Sequence, residues 1–118
     1  MRPLPDKLRN KLEDEPMMNR CCVPGCMDNE ITWEHAWQYS GRQIGGDHGV
    51  EDWWAIIGMC REHHLGDKYM IYLNQNEVRA KDWGKYVTLL RGIEIAKKNY
   101  PKKNWEQELQ KLEFKLFN

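Results

Sequence analysis

Two short pairs of potential metal ligands, far apart along the chain, constrain the fold of this sequence more than any other feature. Cys22 and Cys26 flank a Val-Pro-Gly turn that lets both sulfurs face one point, and Cys60 and His63 follow at the start of a predicted helix. Three cysteines and one histidine form a ligand set that structural zinc prefers. A chain of 118 residues has a small core that a metal cross-link can support. The sequence therefore predicts a tetrahedral Cys3His zinc site.

Cys21 offers a second way to build the first pair. Cys21-x4-Cys26 could also chelate, but the closer Cys22 spacing places Pro24 and Gly25 directly before the second ligand, where the turn needs them. We therefore predict Cys22 as the ligand and Cys21 as a neighbour. Four cysteines could form two disulfides in a secreted protein, but the knuckle spacing and the interleaved histidines favour metal binding.

Three more potential ligands or bases accompany the predicted zinc site. Glu34 and His35 lie between the two pairs, and His64 directly follows His63. His64 could replace His63 as the zinc ligand, but the i, i+3 spacing from Cys60 favours His63. Potential ligands left over beside a zinc site indicate a second, catalytic metal.

Charge is distributed unevenly although the formal net charge is zero. Residues 21–59 carry six acidic side chains against one basic side chain, and residues 79–103 carry eight basic against two acidic. An acidic metal centre beside a basic helical region is typical of an enzyme that holds a polyanion and cuts it with a divalent cation. A lysine-rich, solvated helix face is the alternative. The predicted DNA-binding residues are Lys81, Lys85, Arg91, Lys97 and Lys98.

Hydrophobic periodicity and turn residues predict an α+β fold in a single domain. The predicted helices are residues 4–15, a helix from Cys60 interrupted near Gly66, residues 76–98, and residues 104–117 with Asn104 as N-cap. Apolar segments at 31–37 and 52–59 predict two strands that flank a glycine-rich loop at 39–49. The domain therefore divides into an N-terminal helical arm (1–20), a zinc core (21–66) and C-terminal helices (67–118).

No feature of the sequence predicts export or membrane insertion. Residues 1–16 are charged and lack the apolar stretch of a signal peptide, and no apolar run approaches the roughly 20 residues of a membrane span. We expect a cytoplasmic protein. The leucine stripe of the last helix favours packing within the chain, with a homodimer through the C-terminal helices as the alternative.

The order of these motifs resembles the HNH family of endonucleases. Cys22-x3-Cys26, Glu34-His35, the glycine-rich loop, an apolar strand and Cys60-x2-His63-His64 follow one another as in that family, and most closely as in small phage and prophage members. The resemblance covers residues 21–66. It implies a zinc-stabilised ββα-metal core with extra N-terminal and two C-terminal helices. It also implies a metal-dependent DNA endonuclease, encoded by a phage or prophage and active on duplex or branched DNA in a bacterial cytoplasm.

The resemblance further implies a role for each residue of the site. His35 would be the general base, because an imidazole with a pKa of about 6.5 can deprotonate water near neutral pH. Glu34 and His64 would hold Mg²⁺ or Mn²⁺, which neutralises the charge that develops on the phosphate. Adjacent strand residues point to opposite faces, so we expect a twist or bulge that brings Glu34 and His35 to one phosphate.

One element of the family pattern is absent. The middle Asn of the family falls on Ala55, whose side chain can neither donate a hydrogen bond nor bind a metal. Arg42, His48 and Asp52 are candidates for an auxiliary polar contact. The absence leaves open a non-catalytic zinc module that binds DNA or protein, or a phage regulatory protein that reuses the fold.

Overall fold

The helices and strands of the protein form an α+β fold with two small antiparallel sheets. The structure, a computed structural model, describes residues 6–13, 16–37 and 52–118. The helices are α1 (Asp6–Glu13), α2 (Arg61–His64), α3 (Ala80–Asn99) and α4 (Trp105–Phe117). The strands are β1 (Ile31–His35), β2 (Ile56–Cys60), β3 (Met70–Leu73) and β4 (Asn76–Arg79). Short 3₁₀ helices occupy Pro16–Asn19 and Trp53–Ala55.

The first sheet is the hairpin of β1 and β2. Ile31 lies opposite Cys60 and His35 lies opposite Ile56. Every residue of β2 is buried, whereas β1 is buried only at His35. Helix α2 follows Cys60 directly, so Cys60 is the last residue of the hairpin and His63 lies in the helix.

The second predicted strand begins later than the sequence indicated. The side chain of Asp52 accepts a hydrogen bond from the Trp53 N–H (2.9 Å), which caps a 3₁₀ turn over Trp53–Ala55. The strand itself starts at Ile56. The predicted strand over 52–59 is therefore wrong in its first half, because a side-chain cap overrides the β propensity of the two tryptophans.

The second sheet, the hairpin of β3 and β4, lies in a region where the sequence predicted no strand. Leu73 pairs with Asn76 across a two-residue turn in which Asn74 and Gln75 have φ of 50° and 73°. Positive φ at both turn residues is the mark of a type I′ hairpin. The predicted helix over 76–98 is wrong over residues 76–79 and begins instead at Ala80.

Helices α3 and α4 help to bury three of the six tryptophans, Trp37, Trp54 and Trp105. Trp37 and Trp54 each contact Trp105 edge-on, with ring centroids 5.2 Å and 5.6 Å apart. Asn104 is the N-cap of α4, as predicted, and accepts a hydrogen bond from the Gln107 N–H at 3.1 Å. The α4 stripe is buried within the chain at Trp105, Leu112 and Leu116.

Within the described ranges, none of the helices combines the length and the apolar character that crossing a bilayer requires. The glycine-rich segment at 39–49 lies outside those ranges.

Candidate metal centre and catalytic cavity

Three cysteines and one histidine converge between the segment before β1 and the end of β2. The ligand atoms of Cys21, Cys26, Cys60 and His63 all lie within 4.8 Å of one another. His63 Nδ1 is 3.1 Å from Cys60 Sγ, and the sulfurs of Cys26 and Cys60 are 3.8 Å apart. Tetrahedral zinc with Zn–S bonds of about 2.3 Å separates two sulfurs by about 3.8 Å. The cluster therefore has a donor set and a spacing that suit a metal ion of this kind.

The cluster corrects the predicted choice between the first two cysteines. The sulfur of Cys21, and not that of Cys22, lies with the other three potential ligand atoms. The backbone of Cys22 is bound on both sides, since its N–H donates to the Gly58 carbonyl and its carbonyl accepts from Trp83 Nε1, each at 2.9 Å. These bonds fix Cys22 between β2 and α3, and the turn into Cys26 then starts at Val23.

The predicted Pro-Gly turn is present between the two ligands. The Cys26 N–H donates to the Val23 carbonyl at 3.1 Å, and Gly25 has φ of 81°. Proline at the second position and glycine with positive φ at the third are the features of a type II turn. The turn thus brings Cys26 towards the cluster whichever cysteine precedes it, so the turn residues alone do not decide between Cys21 and Cys22.

The pKa values of the thiols differ strongly. A side-chain hydrogen bond with Cys22 is the main cause that lowers the pKa of Cys21 to about 4, and the same bond, followed by burial, raises the pKa of Cys22. Burial raises the pKa of the Cys60 thiol to about 11. The sulfur of Cys22 lies outside the cluster, so Cys22 would act as a neighbour of the ligand Cys21.

The three residues with predicted catalytic roles meet at a second site. Glu34, His35 and His64 line one cavity of about 220 Å³. Glu34 Oε1 lies 3.5 Å from His64 Nδ1 and accepts a hydrogen bond from Thr32 Oγ1 at 2.7 Å. Glu34 and His35 both line the cavity although they are adjacent in β1, and their pairing with Ile57 and Ile56 continues the register without the expected bulge.

The position that the resemblance assigns to the middle Asn is filled by a buried backbone contact. Ala55 is 0% exposed, and its carbonyl accepts a hydrogen bond from the Ala36 N–H at 2.9 Å. Ala36 follows His35 directly, so this bond holds the end of β1 beside the cavity. It supplies no side chain that could contact a ligand.

Cationic side chains also line this cavity. Arg79 from the end of β4 and Lys81 and Lys85 from the first turns of α3 contribute to the lining. Arg79 donates two hydrogen bonds to the buried carboxylate of Asp82, at 3.1 Å and 3.2 Å. Two of the predicted DNA-binding residues, Lys81 and Lys85, therefore lie at the cavity. Arg79 was not predicted, because its closeness depends on the unpredicted β3–β4 hairpin.

The other predicted DNA-binding residues lie away from the cavity lining. Arg91 Nη2 donates to the carbonyls of Trp53, Trp54 and Ile56, at 3.2 Å, 2.8 Å and 2.5 Å. Arg91 thus binds the backbone before and within β2. Lys97 pairs with Glu94 and Glu106. Lys98 is exposed on α3.

The predicted auxiliary residues divide into two groups. Asp52 caps the 3₁₀ turn and accepts a hydrogen bond from Asn99 Nδ2 at 3.3 Å, so its carboxylate serves the fold. Arg42 and His48 lie outside the described residues.

Comparison of the chain with protein-family models, with curated proteins and with solved structures found no match. The geometry of its two sites therefore carries the functional argument.

Proposed function

We propose that this protein is a metal-dependent DNA endonuclease of the HNH kind, whose core is stabilised by zinc. The observation that carries the proposal is the meeting of Glu34, His35 and His64 at one cavity, which Lys81 and Lys85 also line. Phosphodiester hydrolysis by this kind of site requires a general base, two ligands for a divalent ion, and cations that bind the phosphate.

In this mechanism His35 accepts the proton of the attacking water. His35 is 6% exposed and lines the cavity, so the attacking water would have to reach its ring through that cavity. Glu34 and His64 would hold Mg²⁺ or Mn²⁺, and the bound ion would neutralise the charge on the phosphate and on the departing 3′-oxygen. Thr32 supports this role, because its hydroxyl fixes the Glu34 carboxylate by a 2.7 Å hydrogen bond.

Zinc is the ion we propose for the Cys3His cluster. Thiolates and imidazole in a tetrahedral arrangement select zinc, whereas carboxylate and water select magnesium or manganese. The two sites are adjacent in sequence at His63 and His64, so zinc bound to His63 also orients the helix turn that carries His64.

Nicking of supercoiled plasmid tests the proposal. Wild-type protein loaded with zinc should nick the plasmid when Mg²⁺ or Mn²⁺ is added, and His35→Ala should lose activity by at least about a hundredfold, as loss of a general base does. Glu30→Gln is the matched control, because it removes an exposed carboxylate outside the cavity lining and should leave the rate unchanged.

Two results would count against this function. Absence of metal-dependent cleavage on duplex, branched and single-stranded DNA would remove the nuclease proposal. Full activity of His35→Ala, with zinc content and melting temperature unchanged, would remove His35 as the base.

A second candidate function is a non-catalytic zinc module that binds DNA or a protein partner. The observation that favours it is Ala55, which places a buried methyl group where the family has an Asn side chain. A protein that binds DNA tightly but cleaves none of the tested substrates with either metal would support this second candidate.

A further inference from the structure

Two cavities of the molecule share a wall, and the shared residues are Asp82 and Lys85 of α3. The first is the cavity that contains Glu34, His35 and His64. The second is a groove of about 610 Å³ between α3 and α4, which Lys111 and Lys115 also line. The two cavities therefore adjoin each other at Asp82 and Lys85.

Two cations contact the buried carboxylate of Asp82, and a third lines both cavities with it. Arg79 donates to the carboxylate at 3.1 Å and 3.2 Å, and Lys115 Nζ of α4 lies 3.7 Å from Oδ2. Lys85 lines both cavities, and its Nζ lies 5.5 Å from the centroid of the Trp37 ring. Burial is the main cause that lowers the pKa of Lys85; the charges of Asp82 and Glu108 oppose this shift, and those of Lys115 and Arg79 add to it. Three cations thus share this wall with one buried carboxylate.

Among the described residues that line the groove, the other carboxylate is that of Glu108, which pairs with Lys103 at 3.3 Å and with Lys111 at 4.0 Å. Asp82 is 5% exposed and is held by its two partners, so it serves to position the cations at the shared wall. An anion placed between Arg79, Lys85 and Lys115 would relieve their mutual repulsion.

We infer that Arg79, Lys85 and Lys115 form a second phosphate subsite, which holds the DNA phosphate next to the one being cleaved and directs the strand into the α3–α4 groove. The inference rests on the proposed function, because the position of the subsite is defined relative to the catalytic cavity. It assigns a role to Lys115 and to α4, both of which lie far in sequence from the motifs of the catalytic cavity. Asp82 is the positioning residue of the subsite.

The salt dependence of DNA binding tests the subsite without requiring cleavage. All variants are made in the His35→Ala protein, loaded with zinc, and binding to a fluorescein-labelled duplex is measured over a range of NaCl concentrations with no added divalent ion. The logarithm of the binding constant falls with the logarithm of salt concentration by about 0.9 per neutralised phosphate. Lys115→Gln and Lys85→Gln should each weaken binding roughly tenfold at low salt.

The double variant distinguishes one shared phosphate from separate contacts. If both lysines bind one phosphate, Lys85→Gln/Lys115→Gln should reduce the slope by no more than about 0.9, whereas independent contacts would reduce it by about 1.8. Lys102→Gln is the control for loss of one positive charge, because Lys102 is exposed and lines neither cavity.

The outcomes separate this inference from the proposed function. A slope and affinity unchanged in both single variants, or a reduction of about 1.8 in the double variant, would overturn the shared subsite while plasmid nicking still stands on its own. An effect of Lys102→Gln equal to that of Lys115→Gln would also overturn it, because the binding would then depend on overall charge. Lys115 is a useful second variant, since its side chain is 60% exposed and its replacement should not disturb folding.

Discussion

At the scale of single residues, adjacent cysteines have different roles in the metal centre. The sulfur of Cys21 lies among the four potential ligand atoms, and that of Cys22 lies outside this set. We expect Cys21→Ser to lose tightly held zinc, because a hydroxyl is a poor replacement for a thiolate ligand. Cys22→Ser keeps a hydrogen-bond donor and should retain about one zinc per chain, with at most a tenfold loss of affinity. Zinc content and competition with a chromogenic chelator measure both values.

The pair of variants is its own control, since the two substitutions are chemically identical and lie one residue apart. Zinc retained by Cys21→Ser and lost by Cys22→Ser would reverse the assignment. The melting temperature of each variant should follow its zinc content, because the same ligands close the contact between residues 21–26 and β2.

At the scale of elements, α3 depends on one glycine for its contact with the 3₁₀ turn. A Cβ on Gly92 would lie 2.2 Å from Trp54 Cγ, and Trp54 is fully buried. Gly92→Ala should therefore lower the free energy of unfolding by about 1–3 kcal/mol or more, despite the higher helix propensity of alanine. Denaturant unfolding measures this difference.

Gly84 provides the matched control in the same helix. A Cβ there would have its nearest neighbour at 3.4 Å, the end of the flexible Met59 side chain. Gly84→Ala should be neutral or stabilising by up to about 1 kcal/mol. Equal destabilisation by both substitutions would show that the loss at Gly92 comes from the helix backbone and not from Trp54.

The β3–β4 hairpin contains an unfavourable turn residue. Gln75 has φ of 73°, a conformation that costs an ordinary L-residue roughly 1 kcal/mol, and the preferred type I′ sequence is Asn-Gly. Gln75→Gly should raise the free energy of unfolding by up to about 1 kcal/mol, and Gln75→Ala should give no such gain. Thermal melts of the two variants, side by side, measure the effect of the backbone alone.

This hairpin also explains which elements could be predicted from the sequence. Asn104 and the Pro24-Gly25 turn carry local signals, and the structure has the predicted cap and turn at both positions. The Asn74-Gln75 turn carries a weak signal because it lacks glycine. Val78 is buried in β4, yet it also fits the helical spacing that continues into α3. The hydrophobic periodicity therefore predicted one helix that covers both β4 and most of α3.

At the scale of the whole molecule, the Cys3His cluster and the cavity that Glu34, His35 and His64 line differ in how far the sequence could predict them. The two ligand pairs are local motifs, so the Cys3His set was predictable except for the choice between Cys21 and Cys22. That choice depends on hydrogen bonds from Cys22 to β2 and α3, which are long-range contacts. The meeting of Arg79 and Lys115 at Asp82 joins β4, α3 and α4, so only the tertiary fold reveals it.

The cluster is central enough that removing its metal should affect the entire fold. Cys21 and Cys60 belong to the same buried group as Ile71 and Val78 of the second sheet and Leu116 of α4. Structural zinc contributes an apparent binding free energy of about 10–16 kcal/mol, comparable to the whole stability of a small domain, about 5–15 kcal/mol. We expect a chelator to abolish cooperative thermal unfolding and the near-UV circular dichroism of the buried tryptophans. Added zinc should restore both, whereas added Mg²⁺ should restore neither, because thiolates are poor ligands for magnesium. A chelated protein that still melts cooperatively within a few degrees of the untreated one would show that the hydrophobic clusters suffice without the metal.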